Sequence, residues 1–305
     1  MKIAILGLGG VGATVAGGLR NYEKDLIFIA RGKTKEALLE KGLYLESDML
    51  GSGVIRPGLV SDDVEEIGVV DVLILCSKSY GLEAACKKYA DIVGQDTLVV
   101  PLQNGVAASK CVSKWLNGKG AVSDSYIYCF SNIIEAGHIT NSGNLLRIGV
   151  GFSNGKDNEK ARKLVDMLNE GGLPSTYGQD IMRALWEKYA MMCGNSCAFI
   201  YFDSPAGNIQ EDIHKMEFLR GIYEDINRLA KATGVSGMDD MPQRYVDAFI
   251  KLPPQTISSL YRDILAGKEE TEFEWLVGSS YRLAKELGVD IPFIQKVYET
   301  KSEEK

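Results

Sequence analysis

Three glycines, Gly7, Gly9 and Gly12, stand in G-x-G-x-x-G spacing within the opening "MKIAILGLGGVGATVAGGL". An apolar, strand-like run precedes them and a helix-forming run follows, the context in which this spacing binds a dinucleotide. The first glycine allows the tight turn, the second lets the backbone approach a pyrophosphate, and the third permits close packing of helix on strand. The start of the helix then offers backbone amides and a partial positive charge to the phosphates. Gly7, Leu8, Gly9, Gly10, Val11 and Gly12 are therefore the expected cofactor contacts.

An NAD-binding chain of this kind carries Asp or Glu at the end of its second strand, about twenty residues on, to hold the ribose hydroxyls. Here that strand ends "FIARGKT", with Arg31 where the acid would stand and Lys33 close behind. A guanidinium at that place grips a 2′-phosphate, so the expected cofactor is NADP; the alternative is a solvated loop cation. Lys78 in "LCSKSYG" and Asn104 in "PLQNGVA" follow two later strand-like runs, where ligands of such folds bind. Each also has a plain structural reading, a helix-entry cation and an Asn-Gly turn.

A further candidate is Lys188, the only cation in the apolar or weakly polar run "LWEKYAMMCGNSC". A solvated helix lysine is the plain reading. The stretch also holds Cys193 and Cys197, whose single C-x3-C spacing, without a second pair or histidines, suits packing better than zinc. With His138 and His214 as the only two histidines, a multi-histidine metal site is not expected, and His138 in "EAGHITNSGN" reads as a hairpin residue.

The elements that must position these groups follow a βαβ alternation. Residues 2–7, 25–30, 69–76 and 97–102 read as buried strands, and 11–20 and 80–93 as helices, which predicts a doubly wound parallel sheet. From 121 to 152 the pattern suggests antiparallel strands extending that sheet, closed by a helix over 157–169. Beyond "GGLPSTYGQD" the chain reads as successive helices, broken at Pro205-Ala206-Gly207, Gly234, Pro253-Pro254 and Gly267. The boundary is placed near 178, giving an α/β Rossmann-type domain over 1–178 and an all-helical domain over 179–305.

At 305 residues two domains are the default expectation, and 45% hydrophobic with 25% charged residues is a globular rather than a disordered balance. A net charge of −7 argues against nucleic acid or anionic membranes as partners, so an anionic ligand must meet local cations. No apolar run of about eighteen residues exists to span a bilayer. The six scattered cysteines suit free thiols in a reducing compartment, and the N-terminus lacks a cleavable signal pattern, so a cytoplasmic location is expected.

Taken together, "GLGGVG", "RG" at 31–32, "SKSY" at 77–80, "QNGV" at 103–106, "LWEK" at 185–188, "SSLYRDILAG" at 258–267 and "TEFEWLVG" at 271–278 resemble the ketopantoate reductase (2-dehydropantoate 2-reductase) family over essentially the whole chain. The resemblance implies a Rossmann domain followed by a helical domain like the C-terminal domain of 6-phosphogluconate dehydrogenase, with NADPH and a branched 2-oxo acid in the cleft. It implies Lys188 as the proton donor to the carbonyl oxygen that gains charge during hydride transfer. It further implies Glu272 as the acceptor of a substrate hydroxyl, Ser259 as a carboxylate contact, and Asn104 and Lys78 near the nicotinamide. A homodimer through the helical domain is compatible with it.

Glu272 and Ser259 have structural alternatives. Thr271 and Glu274 read as a capping box around Glu272, and Ser258-Ser259 as a helix start after the prolines. The chain also departs from the family pattern. The family places asparagines four and eight residues after its lysine, where this chain has Met192 and Ser196. Asn195 projects about 20° from Lys188 on an ideal helix, so Asn195 and Ser196 become the expected substrate contacts. Val277 replaces a further asparagine. The substrate therefore stays open between ketopantoate and another 2-oxo acid, with a non-catalytic NADP-binding protein as the third reading.

Overall fold

The computed structural model describes residues 1–178 and 180–303. Its chain divides into two compact units, residues 1–103 with 107–181, and residues 104–106 with 182–305. The short segment after Gln103 thus packs with the helices, although the sequence alone places it in the first domain.

In chain order the first unit runs β1 (Ile3–Leu6), α1 (Gly10–Gly18), β2 (Leu26–Ile29), α2 (Gly32–Lys41), β3 (Leu43–Ser47), β4 (Gly53–Ile55), β5 (Leu59–Ser61), α3 (Val64–Ile67), β6 (Val70–Leu75), α4 (Leu82–Lys88) and β7 (Val93–Pro101). It continues with α5 (Ala108–Trp115), β8 (Ala121–Val122), β9 (Asp124–Tyr128), β10 (Ser131–Glu135), β11 (His138–Asn141), β12 (Arg147–Gly151), α6 (Glu159–Glu170) and β13 (Ser175–Tyr177). The main sheet has the order β5-β2-β1-β6-β7-β8, parallel throughout. Its order reverses between β1 and β6, so the chain leaves those two strands in opposite directions and opens a crevice at their carboxyl ends. The strands are apolar on both faces because helices cover both: Ile3, Ile5, Phe28, Val72 and Ile74 are buried on one face, and Ala4, Ile27, Leu73 and Leu75 on the other.

The expected extension of this sheet by residues 121–152 needs correcting. Only β8 joins it; β9 and β12 pair antiparallel in a separate three-stranded sheet with β13, and the β10-β11 hairpin lies in a four-stranded sheet with β3 and β4. The run breaks at Ser123, whose backbone N–H and hydroxyl both donate to the Val99 carbonyl and so close that end of the ladder. His138 opens β11 and its Nε2 lies 2.9 Å from Glu46 Oε1.

The helical unit comprises α7 (Ile181–Phe202, its first residue counted with the other unit), α8 (Ala206–Gln210), α9 (Ile213–Ala232), α10 (Met241–Ile250), α11 (Ser259–Leu265), α12 (Ser279–Leu287) and α13 (Pro292–Glu303). The expected breaks fall at or beside the ends of these helices, where proline removes a donor and where Gly234 and Gly267 take positive φ. Trp186, Tyr189, Phe199, Tyr223 and Phe249 fill the core. No described helix is long and apolar enough to cross a membrane.

One core carboxylate has a measurable consequence. Asp225 on α9 is fully buried, and its Oδ2 accepts from the N–H groups of Phe293 and Ile294, both at 2.8 Å, which caps α13 from a neighbouring helix. Burial pushes its pKa up to about 6, against the pull of those amides and of Arg228. A carboxylate raised in the folded state binds a proton there before it does in the unfolded chain, so its contribution to stability falls as pH rises through about 6. The stability difference between the parent and Asp225→Asn should therefore shift by about 2 kcal/mol in favour of the parent between pH 7 and pH 4.5. Denaturant titrations at the two pH values measure this, and an unchanged difference would mean that Asp225 does not titrate in that window.

Candidate active site

The glycine loop joins β1 to α1. Gly7 has φ +95°, and a Cβ there would sit 2.8 Å from the backbone nitrogen of Ser77. Both the turn and the approach to the segment after β6 thus demand glycine. A Cβ on Gly12 would lie 2.1 Å from the Gly7 carbonyl oxygen, so the third glycine sets how closely helix meets loop. Gly10 abuts Ser131, whose Cβ would be 2.7 Å away. Gly9 differs: its nearest neighbour would be Ile133 Cδ1 at 3.6 Å, leaving its surface open. Leu8 is buried and Val11 half-buried, packing the loop onto the sheet.

These residues fit a dinucleotide. The loop precedes a nine-residue helix, an open backbone surface lies at Gly9, and two buried polar atoms at the ends of β6 and β7, Ser77 Oγ and Gln103 Oε1, lack a partner among the described residues. Gln103 Nε2 donates to the carbonyls of Leu75 and Ser77, both at 3.0 Å, and so ties the two strand ends together. Arg31 is exposed directly after β2, at the cap position of α2. Lys78 is exposed in the short stretch between β6 and α4.

In the helical unit, Lys188 is not a solvated cation: it is only 5% exposed in the middle of α7. A desolvated ammonium requires partners, and its Nζ donates to Asn104 Oδ1 at 2.8 Å. The backbone carbonyl of Asn104 in turn accepts from the indole N–H of Trp275. Glu272 is a second buried charge, 7% exposed, three residues before that tryptophan.

The capping box expected around Glu272 forms only in part. The Thr271 hydroxyl accepts from Phe273 N–H at 3.4 Å, but the Glu274 carboxylate turns away to Arg282, 2.9 Å from its Nη1. Glu274 opens a π-helical turn over Glu274–Gly278, whose i→i+5 bonding shifts the side chains from their α-helical register. The Leu276 carbonyl within that turn accepts instead from the Tyr189 hydroxyl, at 2.5 Å, on the residue after Lys188.

The remaining expected substrate contacts are distributed unevenly. Asn195 is half-buried and its Oδ1 accepts from Tyr223, a fully buried phenol whose pKa burial raises well above its ordinary value. Ser196 is buried and its hydroxyl donates to the Met192 carbonyl at 2.7 Å, one turn back along its own helix. Ser259 is exposed as the first residue of α11, while the neighbouring Ser258 is the cap, accepting from Tyr261 N–H at 3.2 Å. Cys193 and Cys197 are buried free thiols 3.9 Å apart, in keeping with packing.

Sequence reasoning missed Gln103, Tyr223 and Trp275. The signal for Trp275 was weak but present, since a half-buried indole N–H needs an acceptor. That acceptor lies 171 residues away in the chain, beyond the reach of any local pattern.

Comparison with known proteins agrees with this arrangement over both units. Residues 3–155 match the family described as Ketopantoate reductase PanE/ApbA, and residues 180–303 match Ketopantoate reductase PanE/ApbA C terminal. The 2-dehydropantoate 2-reductase of Aquifex aeolicus (strain VF5) is 27% identical over 311 residues, spanning 99% of this chain and 97% of the relative. A crystal structure of 2-dehydropantoate 2-reductase from Methylococcus capsulatus superposes with a TM-score of 0.88 at 22% identity, over 99% of this chain and 96% of that one. A ternary structure of D-mandelate dehydrogenase with NADH and anilino(oxo)acetate reaches 0.82 at 19% identity, over 98% and 96%. At these identities the likeness to solved structures establishes the fold.

Proposed function

The chain belongs to the ketopantoate reductase family of oxidoreductases, and on that premise we propose that it reduces 2-dehydropantoate to (R)-pantoate with NADPH, a step toward pantothenate and coenzyme A. The observation that carries this reading is the buried Lys188 ammonium held on Asn104. NADPH, when bound, supplies the hydride to the ketone carbon. As that carbon is reduced, the carbonyl oxygen gains negative charge, and Lys188 stabilises it by hydrogen bonding and then gives it a proton, leaving an alcohol. Asn104 fixes the direction of one Nζ–H, and an ordinary lysine carries the needed proton at neutral pH. Glu272, buried and acceptor-only when ionised, receives the substrate hydroxyl; Asn195 and Ser259 complete the substrate contacts, with Ser196 as an acceptor only, its proton being donated to the Met192 carbonyl.

Gly7 to Gly12 hold the pyrophosphate, with Lys78 and Asn104 beside the nicotinamide and Arg31 on the 2′-phosphate. Arg31→Ala should therefore weaken NADPH by about tenfold or more, the worth of a charge-assisted phosphate contact, while NADH affinity barely changes. Titration with the two nucleotides checks this, and equal losses would remove the 2′-phosphate assignment.

A second reading, a reductase of another 2-oxo acid, is favoured by particular residues: Met192 follows Lys188 by one turn, the Ser196 hydroxyl is spent on its own helix, and Val277 is fully buried. NADPH oxidation across a panel of 2-oxo acids separates the two. Turnover of ketopantoate well above the other acids supports the first reading, a different preferred acid supports the second, and tight nucleotide binding without turnover of any acid removes both.

A further inference from the structure

The reading above assigns no role to Trp275, yet three observations converge on it. Its indole N–H donates to the main-chain carbonyl of Asn104, the same residue whose side-chain oxygen holds Lys188 Nζ at 2.8 Å. The next residue, Gly105, has φ +108°, and a Cβ there would stand 3.2 Å from Trp275 Nε1, so the turn approaches the indole as only glycine comfortably allows. Val106 and Trp275 both pack against the buried core of the helical unit. Residues 104–106 belong with the helices rather than with the strand that precedes them in sequence.

We propose that Trp275 is a positioning residue: with Gly105 it clamps the Asn104 backbone so that the Asn104 amide oxygen is fixed on the Lys188 ammonium. Asn104 sits on an Asn-Gly turn, and the amide rotor has no use as a fixed acceptor unless its own backbone is held. The indole supplies that hold through a donor on a rigid ring, with only two torsions to freeze. The π-helical turn at Glu274–Gly278 contains Trp275 and departs from the α-helical register that would aim the ring elsewhere. Glu272 lies two residues before this turn, so one short segment carries the buried carboxylate and the clamp for the ammonium's partner.

This inference rests on Lys188 being the proton donor, and its test separates the two. Trp275→Phe keeps an aromatic ring but deletes the donor. It should lower kcat about tenfold, with KM for the oxo acid and NADPH affinity changed by no more than about threefold, because the group that acts on the transition state is misplaced while, of the proposed ligand contacts, only Asn104 is loosened. The alkaline limb of the kcat–pH profile should move to lower pH, since the ammonium loses a fixed acceptor. Combining Trp275→Phe with Asn104→Ala should cost no more than Asn104→Ala alone. Gly105→Ala, which pushes the turn off the indole, should reproduce the loss. Independently of turnover, the Cε resonance of Lys188 in protein carrying 13C-labelled lysine, assigned with Lys188→Arg, should shift in Trp275→Phe while the other lysines stay in place.

A folded Trp275→Phe with the parent's kcat, pH profile and Lys188 resonance would overturn the clamp. Should the parent reduce no oxo acid, the functional reading fails, and the resonance alone then decides the clamp.

Discussion

Lys188→Ala should lower kcat/KM for the preferred 2-oxo acid by about 10²–10⁴-fold while the NADPH dissociation constant stays within about twofold. The size of the loss follows from the role proposed for the ammonium. The carbonyl oxygen is nearly neutral in the bound substrate and anionic as hydride arrives, so a buried donor acts chiefly on the transition state. Removing it leaves the Asn104 amide oxygen without that donor, but leaves the nucleotide loop, which belongs to the other unit of the chain, as it was. Stopped-flow or steady-state NADPH oxidation with fluorescence titration of the cofactor measures both quantities. Turnover within a few-fold of the parent would strip Lys188 of the acid role and leave it a buried structural cation. Lys188→Arg offers a graded comparison, since guanidinium keeps the charge but hardly releases its proton.

The second large effect concerns two glycines three residues apart that should fail in different ways. Gly12→Ala places a methyl group 2.1 Å from the Gly7 carbonyl oxygen, a backbone atom that cannot swing aside. Helix α1 must move off β1, so a loss of about 3 kcal/mol of stability is expected, with NADPH affinity falling as the loop distorts. Gly9→Ala meets only the flexible end of Ile133 at 3.6 Å, on a backbone (φ −84°, ψ −158°) that alanine also adopts. Its stability should match the parent, yet NADPH should bind at least about tenfold more weakly, because the methyl occupies the face that a pyrophosphate would approach. Thermal melts paired with cofactor titrations distinguish them. A Gly9→Ala variant that binds NADPH as the parent does would mean that the phosphates lie elsewhere.

The parallel sheet was legible in advance because its strands are buried on both faces and therefore read as unbroken apolar runs: "KIAILG", "DLIFIA" and "VVDVLILC" each appear as β1, β2 and β6. The short strands β3, β4 and β5 were not, since exposed or half-buried positions interrupt them and leave no unbroken apolar run. The 121–152 region showed strand character correctly but not its partners, and pairing across ninety residues, as between β11 and β3, leaves no local trace. The helical unit was recognisable from its breaks. Its π-helical turn was not, because the capping signal at Thr271 and Glu274 is the one an ordinary helix start would carry.

For the site, residue type and spacing alone determined the glycine loop and the cation after β2, because a strand, a turn and a helix in immediate succession are local events whose sterics leave few choices, whereas the role expected of Lys188 came from the family resemblance. Tertiary structure decided the rest. Burial separated Lys188 from an ordinary solvated lysine, the Asn104 turn was recruited to the helical unit, and the Trp275 indole closed on it from 171 residues away. Such groups are brought together by the packing of a shared core, and the desolvation that makes an ammonium useful to catalysis exists only once that core has formed.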